Sequence, residues 1–131
     1  MPPSDHQLLV LSDIMAMNNG VLRQADHLAW RAAFDYLVRQ GTIVRVHPGV
    51  FADARYADGR FTGCAAALAR FPRAVLWGET AGAALLGELA ATPMAVGEEL
   101  TLALPYSVKP IAGLQLVNRH VAAAHVRRVD G

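Results

Sequence analysis

Residues 30–52 constrain the fold of this chain most, because they predict a helix, a helix-ending glycine and a β-hairpin in direct succession. Apolar residues recur there at steps of three and four, the spacing that lines one face of an α-helix: Trp30, Ala33, Phe34, Leu37 and Val38. The opposite face carries Arg31, Asp35, Tyr36 and Arg39. Gly41 should end the helix, because a residue without a Cβ most easily adopts the left-handed conformation of a C-terminal cap.

A β-hairpin is predicted directly after this helix. Residues 42–47 are rich in β-branched side chains, and strand alternation places Arg45 and His47 on one face. Pro48 and Gly49 occupy the central positions that a type II turn favours, so the chain should reverse there. A helix followed at once by a hairpin, with arginines on the outer faces of both, is typical of a winged helix-turn-helix. In such modules the helix enters the major groove of DNA, and the hairpin, or wing, contacts the backbone or minor groove.

The charged face of the helix also has a simpler interpretation. Arg31, Asp35 and Arg39 are spaced by four residues, so they could form a ladder of ion pairs on a solvent-exposed helix that binds nothing. The hairpin that follows favours the DNA-binding interpretation over this one.

The overall charge of the chain is nearly neutral. Its 131 residues include 12 Lys and Arg against 11 Asp and Glu, for a formal net charge of +1. Any nucleic-acid interface must therefore be local. The single cysteine, Cys64, stands in an apolar run and is predicted to be a buried structural thiol. No basic-then-apolar leader and no apolar run of about 18 residues is present, so we expect a soluble, cytoplasmic protein.

The residues before the helix complete a predicted winged helix-turn-helix domain over residues 1–55. Ser4 and Gln7 form a capping-box pattern at the start of a first helix. Residues 21–22 are too few for more than a single β-bridge, and residues 23–27 predict a short second helix.

The remaining residues, 56–131, predict a small α/β domain. It should contain two helices (62–70 and 80–89), a brief strand (74–76) and a β-hairpin (100–104 with 114–119). The predicted fold class is therefore α+β, a winged helix-turn-helix followed by a small α/β unit.

Several segments also follow the order of a known family: GVLRQA (20–25), VRQG (38–41), VRVHPGVF (44–51), AVL (74–76), residues 79–87, LTLALP (100–105) and LQLV (114–117). With these segments the chain resembles the AbiEi-type antitoxins, abortive-infection regulators of type IV toxin-antitoxin systems in bacteria and their phages. The resemblance implies an N-terminal winged helix-turn-helix that binds double-stranded DNA as a repressor. A cognate toxin, or another protein, is left open as a partner by the resemblance. In relatives the toxin is contacted by a C-terminal region that usually continues beyond Gly131.

No catalytic or metal-binding pattern accompanies these features. The five histidines are scattered, and with one cysteine they give no zinc-ligand spacing. The sequence also has no glycine-rich phosphate loop with its lysine and no nucleophile elbow. We therefore expect a non-enzyme without cofactor or metal.

Two functional hypotheses follow. The first is a DNA-binding transcriptional regulator, in which phosphates are contacted by Arg23, Gln24, Arg45 and His47, and the groove is faced by Arg31, Asp35 and Arg39. Protonation of His47 below its ordinary pKa of about 6.5 would then tighten binding, unless this residue only completes the turn.

The second hypothesis is a protein-interaction module that keeps the fold without binding DNA. The near-neutral charge favours it, as do Asp35 in the middle of the proposed recognition face and the largely apolar Tyr36. The oligomeric state is left open by both hypotheses.

Overall fold

The computed structural model of the chain describes residues 3–85, 94, 97–122 and 125–126, and over these ranges it is an α+β protein, as predicted. Its α-helices are α1 (Asp5–Met17), α2 (Arg31–Arg39), α3 (Arg60–Arg70) and α4 (Gly78–Leu85). Its strands are β1 (Val21–Arg23), β2 (Ile43–His47), β3 (Val50–Asp53), β4 (Val75–Leu76), β5 (Leu100–Leu104) and β6 (Leu114–Asn118). The last four residues of the predicted helix 80–89 lie outside the described ranges.

The first helix begins at the predicted capping box. The backbone N–H of Gln7 donates to Ser4 Oγ over 3.2 Å, and the backbone N–H of Ser4 donates to Gln7 Oε1 over 2.9 Å. These two bonds satisfy donors that a helix N-terminus otherwise leaves without partners. The helix then packs its single buried residue, Leu11, into the core beneath the first sheet.

The first sheet is antiparallel, with the strand order β1-β3-β2. Its central strand, β3, is buried along its whole length, whereas Val44 and Arg45 on β2 are exposed. One core of this sheet is formed with α1 and α2 by Leu11, Leu22, Ala33, Phe34, Leu37, Ile43 and Phe51. The predicted hairpin of residues 42–52 is confirmed, and β1 is a three-residue strand rather than a single bridge.

The predicted second helix at residues 23–27 is not formed. Arg23 instead ends β1, opposite Val50 of β3, and it is followed by two short 3₁₀ turns, Gln24–Asp26 and Leu28–Trp30. The backbone N–H of Gln24 donates to the carbonyl oxygen of Gly49 over 2.8 Å. These sheet and loop bonds hold the first two residues of the predicted helix against the hairpin, so no α-helix begins there.

The second sheet has the strand order β4-β5-β6, and it does not contain the predicted β-hairpin. Strand β5 pairs antiparallel with β4 but parallel with β6, with Leu100 opposite Leu114. The loop between β5 and β6 therefore runs from the end of β5 back to the level of its start. There the backbone N–H of Leu100 donates to the carbonyl oxygen of Gly113 over 3.0 Å. Parallel pairing gathers Leu100, Leu102, Leu104 and Leu114 into one core.

Helix α3 contacts both sheets, because its small residues allow close packing on two sides. Ala66 forms a cluster with Val21 and Val50 of the first sheet. Cys64 and Ala67 instead belong to the core of the second sheet. The predicted boundary near residue 55 thus precedes a helix that is shared by both halves of the chain. Burial raises the pKa of the Cys64 thiol to about 11, which fits the predicted structural role.

Candidate nucleic-acid interface

The amphipathic pattern of α2 is realised much as predicted. Ala33, Phe34 and Leu37 are buried, and the Phe34 ring packs against Phe51 of β3 at a centroid distance of 5.5 Å. Val38 departs from the prediction, since it is 37% exposed rather than part of the buried face. The packing turns the other side of the helix outwards, where Arg31, Asp35 and Arg39 are all exposed.

The three charged residues on this outer face do not pair with one another. Among the described residues, no nitrogen of Arg31 or Arg39 lies within 4.0 Å of a carboxylate oxygen of Asp35 or of any other acid. The ladder of ion pairs that would make this face a self-satisfied solvent surface is therefore not formed. Both guanidinium groups keep their hydrogen-bond donors available for a ligand.

The end of the helix is closed by Gly41. Its φ is +75°, and the backbone N–H of Thr42 donates to the carbonyl oxygen of Leu37 while that of Gly41 donates to Val38. This pair of bonds is a Schellman motif, which ends α2 and turns the chain directly into β2. Arg39, in the last turn, is thereby held close to the start of the hairpin.

The turn of the hairpin has the backbone conformation that was predicted. Gly49 has a φ of +74°, which a type II turn requires at this position and which residues with a Cβ rarely adopt. Arg23 and His47 lie on opposite sides of Val50, so the two residues are neighbours of the same central strand. Gln24 also lies there, because its backbone N–H is bonded to Gly49. Three of the four residues predicted to contact phosphates, Arg23, Gln24 and His47, therefore lie around the turn.

Arg23 is already engaged within the chain. Its guanidinium forms an ion pair with Asp26 over 3.4 Å, one 3₁₀ turn further on. An anionic ligand would have to compete with this carboxylate, so Arg23 offers less positive charge than the sequence suggests.

Arg45 and His47 do not share a regular strand face. Arg45 lies opposite Phe51 and His47 opposite Val50, so Val46 is an extra residue and β2 carries a bulge there. The guanidinium carbon of Arg45 lies 5.6 Å from the centroid of the Phe51 ring, while the side chain stays exposed. The alternation that predicted a common face is interrupted between these two residues.

His47 lies beside a residue that the sequence did not indicate. Partial burial and the positive charge of Arg70, at the end of α3, both lower the pKa of the imidazole. Arg70 comes near the hairpin because the preceding Ala69 packs with Val46 and Val50. No spacing in the sequence links α3 to the hairpin, and the only available signal is the run of alanines that permits close packing.

The lowered pKa of His47 predicts a pH dependence of stability. The folded protein binds this proton less readily than the unfolded chain, so unfolding takes up a proton and stability falls as the pH drops below about 6.5. We expect chemical denaturation between pH 8 and pH 5 to show a smaller loss of stability for His47→Gln than for the wild type. The same replacement of His6, an exposed residue of α1, serves as the control. Equal pH profiles for His47→Gln and the wild type would contradict this expectation.

Among the described residues, no helix is long and apolar enough to span a lipid bilayer. No protein-family model and no curated protein matches the chain, so the resemblance to AbiEi-type antitoxins stays a hypothesis that rests on the quoted segments alone.

Proposed function

We propose that this chain is a DNA-binding transcriptional regulator of the winged helix-turn-helix type, in which α2 is the recognition helix and the β2–β3 hairpin is the wing. The succession of α1, β1, α2, β2 and β3, with β3 central in the sheet, supports this proposal. In winged modules the recognition helix directly precedes the hairpin, and the two reach the same side of a duplex.

The outer face of α2 carries the proposal. Arg31 and Arg39 are exposed there without a partner among the described residues, on a helix held in place by the buried Phe34 and Leu37. A guanidinium offers a planar fork of donors that matches phosphate oxygens or the O6 and N7 atoms of guanine. Rigid support matters because a side chain that must reach one base edge loses affinity when its helix can shift.

The proposed phosphate contacts come from Arg39, in the last turn of α2, and from the hairpin. Arg45 is exposed on β2, and its stacking on the Phe51 ring limits the orientations of its guanidinium. Phosphate contacts of this kind position a protein on the duplex without reading its sequence. The regulator that we propose is non-catalytic, needs no cofactor and has double-stranded DNA as its partner.

A protein-interaction module is the second candidate, and two observations favour it. Apolar side chains are exposed near the proposed recognition surface, with Leu28 76% exposed just before α2 and Val44 37% exposed on β2. A cognate toxin or another protein could cover these residues. Asp35 also favours a protein partner, since a carboxylate in the middle of the face repels phosphate.

The decisive experiment is an electrophoretic mobility shift with the DNA upstream of the gene for this chain, at two salt concentrations. Binding driven by phosphate contacts must weaken steeply as salt increases, because counterions are released from the DNA. A complex that forms equally well at both concentrations, or no complex at all, would favour the interaction module.

The phosphate contacts can be tested one arginine at a time. We expect Arg39→Ala and Arg45→Ala each to weaken binding to all sequences alike and to lower the slope of log K against log salt by about one unit. Arg55→Ala, which removes the same charge at the end of the first sheet that lies opposite the hairpin turn, should leave the slope unchanged. Equal slopes for all three variants would mean that only net charge matters.

A further inference from the structure

Positive charge is also gathered at one edge of the second sheet. Because β5 and β6 are parallel, their carboxyl ends meet at the same edge, and the antiparallel β4 begins there. Arg73 precedes β4, and its guanidinium carbon lies 5.6 Å from the centroid of the Tyr106 ring, just after β5. Arg119 follows β6, and its backbone N–H donates to the carbonyl oxygen of Leu104 over 2.8 Å. Arg73 and Arg119 are both exposed.

Around the second sheet, the acidic residues that the structure describes lie at the opposite edge. The stretches 59–78 and 100–129 contain no Asp or Glu. Glu79, Glu98 and Glu99 instead stand beside the start of β5, where the backbone N–H of Trp77 donates to the carbonyl oxygen of Thr101. Glu98 is paired there with Arg60, whose Nε lies 2.7 Å from the carboxylate. The sheet therefore has an anionic edge and a cationic edge, although the whole chain is nearly neutral.

Helix α3 connects this cationic edge to the hairpin. Its last turn packs on the first sheet through Ala69, in a cluster with Val46 and Val50, so the next residue, Arg70, lies near His47 of the hairpin. The guanidinium carbon of Arg70 is held 5.3 Å from the centroid of the Phe71 ring. Only two residues separate Arg70 from Arg73, which places these arginines between the hairpin and the second sheet.

We propose that Arg70, Arg73 and Arg119 extend the phosphate-contacting surface from the hairpin to the carboxyl edge of the second sheet, where they bind the backbone of the same DNA duplex. This inference rests on the proposed DNA-binding function. On this proposal the second half of the chain raises the affinity for DNA without adding sequence preference, because none of these arginines lies on the recognition helix.

The proposal predicts a dependence on DNA length. A duplex of about one helical turn should occupy α2 and the hairpin, whereas one of about three turns should also reach the second sheet. On the long duplex, Arg73→Ala and Arg119→Ala should each lower the salt slope by about one unit, and the double variant by about two. On the short duplex, these variants should bind as the wild type does.

Two further variants separate charge contact from structural effects. Arg73→Lys and Arg119→Lys keep the charge and should retain the wild-type slope on the long duplex. Arg55→Ala is the control for net charge, because Arg55 pairs with Asp53 over 2.7 Å at the end of the first sheet that lies opposite the hairpin turn. Its slope should be unchanged on both duplexes, and circular dichroism should show that every variant is folded.

The possible results distinguish the two proposals. If Arg39→Ala lowers the slope while the Arg73 and Arg119 variants do not, the extended surface is wrong and the DNA-binding function stands. Failure of the lysine variants to retain the slope would also overturn the extension, because phosphate recognition needs only the charge. If the wild type binds neither duplex, both proposals fail.

Discussion

Replacing Phe34 with alanine is expected to lower the free energy of unfolding by about 3–5 kcal/mol, which is the usual cost of truncating a buried aromatic side chain. The Phe34 side chain is fully buried, and the centroid of its ring lies 5.5 Å from that of Phe51 and 6.3 Å from that of His27, the latter in a T-shaped arrangement. Since the total stability of a domain is only about 5–15 kcal/mol, this loss should unfold much of the protein near physiological temperature. Urea denaturation followed by circular dichroism would measure it.

The matched control is Leu28→Ala, which also removes a large apolar side chain next to α2. Because Leu28 is 76% exposed, its loss should change the free energy of unfolding by less than about 0.5 kcal/mol. A cost below about 1 kcal/mol for Phe34→Ala would mean that α2 does not anchor the core as described, and the support for its outer face would be lost with it.

The helix and hairpin at residues 30–52 could be predicted because local chemistry determines both. Gly41 and Gly49 each adopt a positive φ that other residues rarely tolerate, and Pro48 restricts the turn further. The spacing of apolar residues then decides which side of α2 is buried. These signals act over a few residues and do not depend on the rest of the chain.

The errors arose where distant contacts override local preference. Residues 23–27 have helical character, but pairing of Arg23 with β3 and the bond from Gln24 to Gly49 prevent a helix. Likewise, alternation along β5 and β6 indicates which side chains face the core, but it carries no information about strand direction. The sequence could therefore place both strands correctly and still suggest a hairpin where the pairing is parallel.

The candidate site was predictable in its helix and less so in its hairpin. Arg31, Asp35 and Arg39 lie on the exposed face of α2, as the periodicity indicated. The bulge at Val46 and the neighbouring Arg70 could not be foreseen, because both follow from how α3 packs on the first sheet. The lowered pKa of His47 also moves its protonation below the reference value, so the sequence-based expectation of tighter DNA binding would apply only at a lower pH.

Arg31→Ala is expected to remove preference at one base pair more than it reduces nonspecific affinity. Arg31 is the first residue of α2, the end of a recognition helix whose side chains commonly meet base edges, and it is exposed without a partner among the described residues. A bidentate contact to guanine is worth about 1–3 kcal/mol of discrimination, roughly 5- to 150-fold in relative affinity. Fluorescence anisotropy on the bound duplex and on its single-base-pair variants would measure this preference.

The lysine variant Arg31→Lys separates base reading from charge. It keeps the positive charge but lacks the planar fork, so nonspecific affinity should remain near the wild-type value while the preference is reduced.

Asp35→Lys tests the neighbouring carboxylate, which lies one turn further on the same exposed face. Whether Asp35 orients Arg31 in the complex or accepts a hydrogen bond from cytosine, lysine cannot replace it, while the added positive charge attracts phosphate. Asp35→Lys should therefore raise nonspecific affinity and remove sequence preference. If Arg31→Ala and Asp35→Lys both leave affinity and preference unchanged in a folded protein, α2 does not read DNA, and its exposed face is better explained as a surface for another protein.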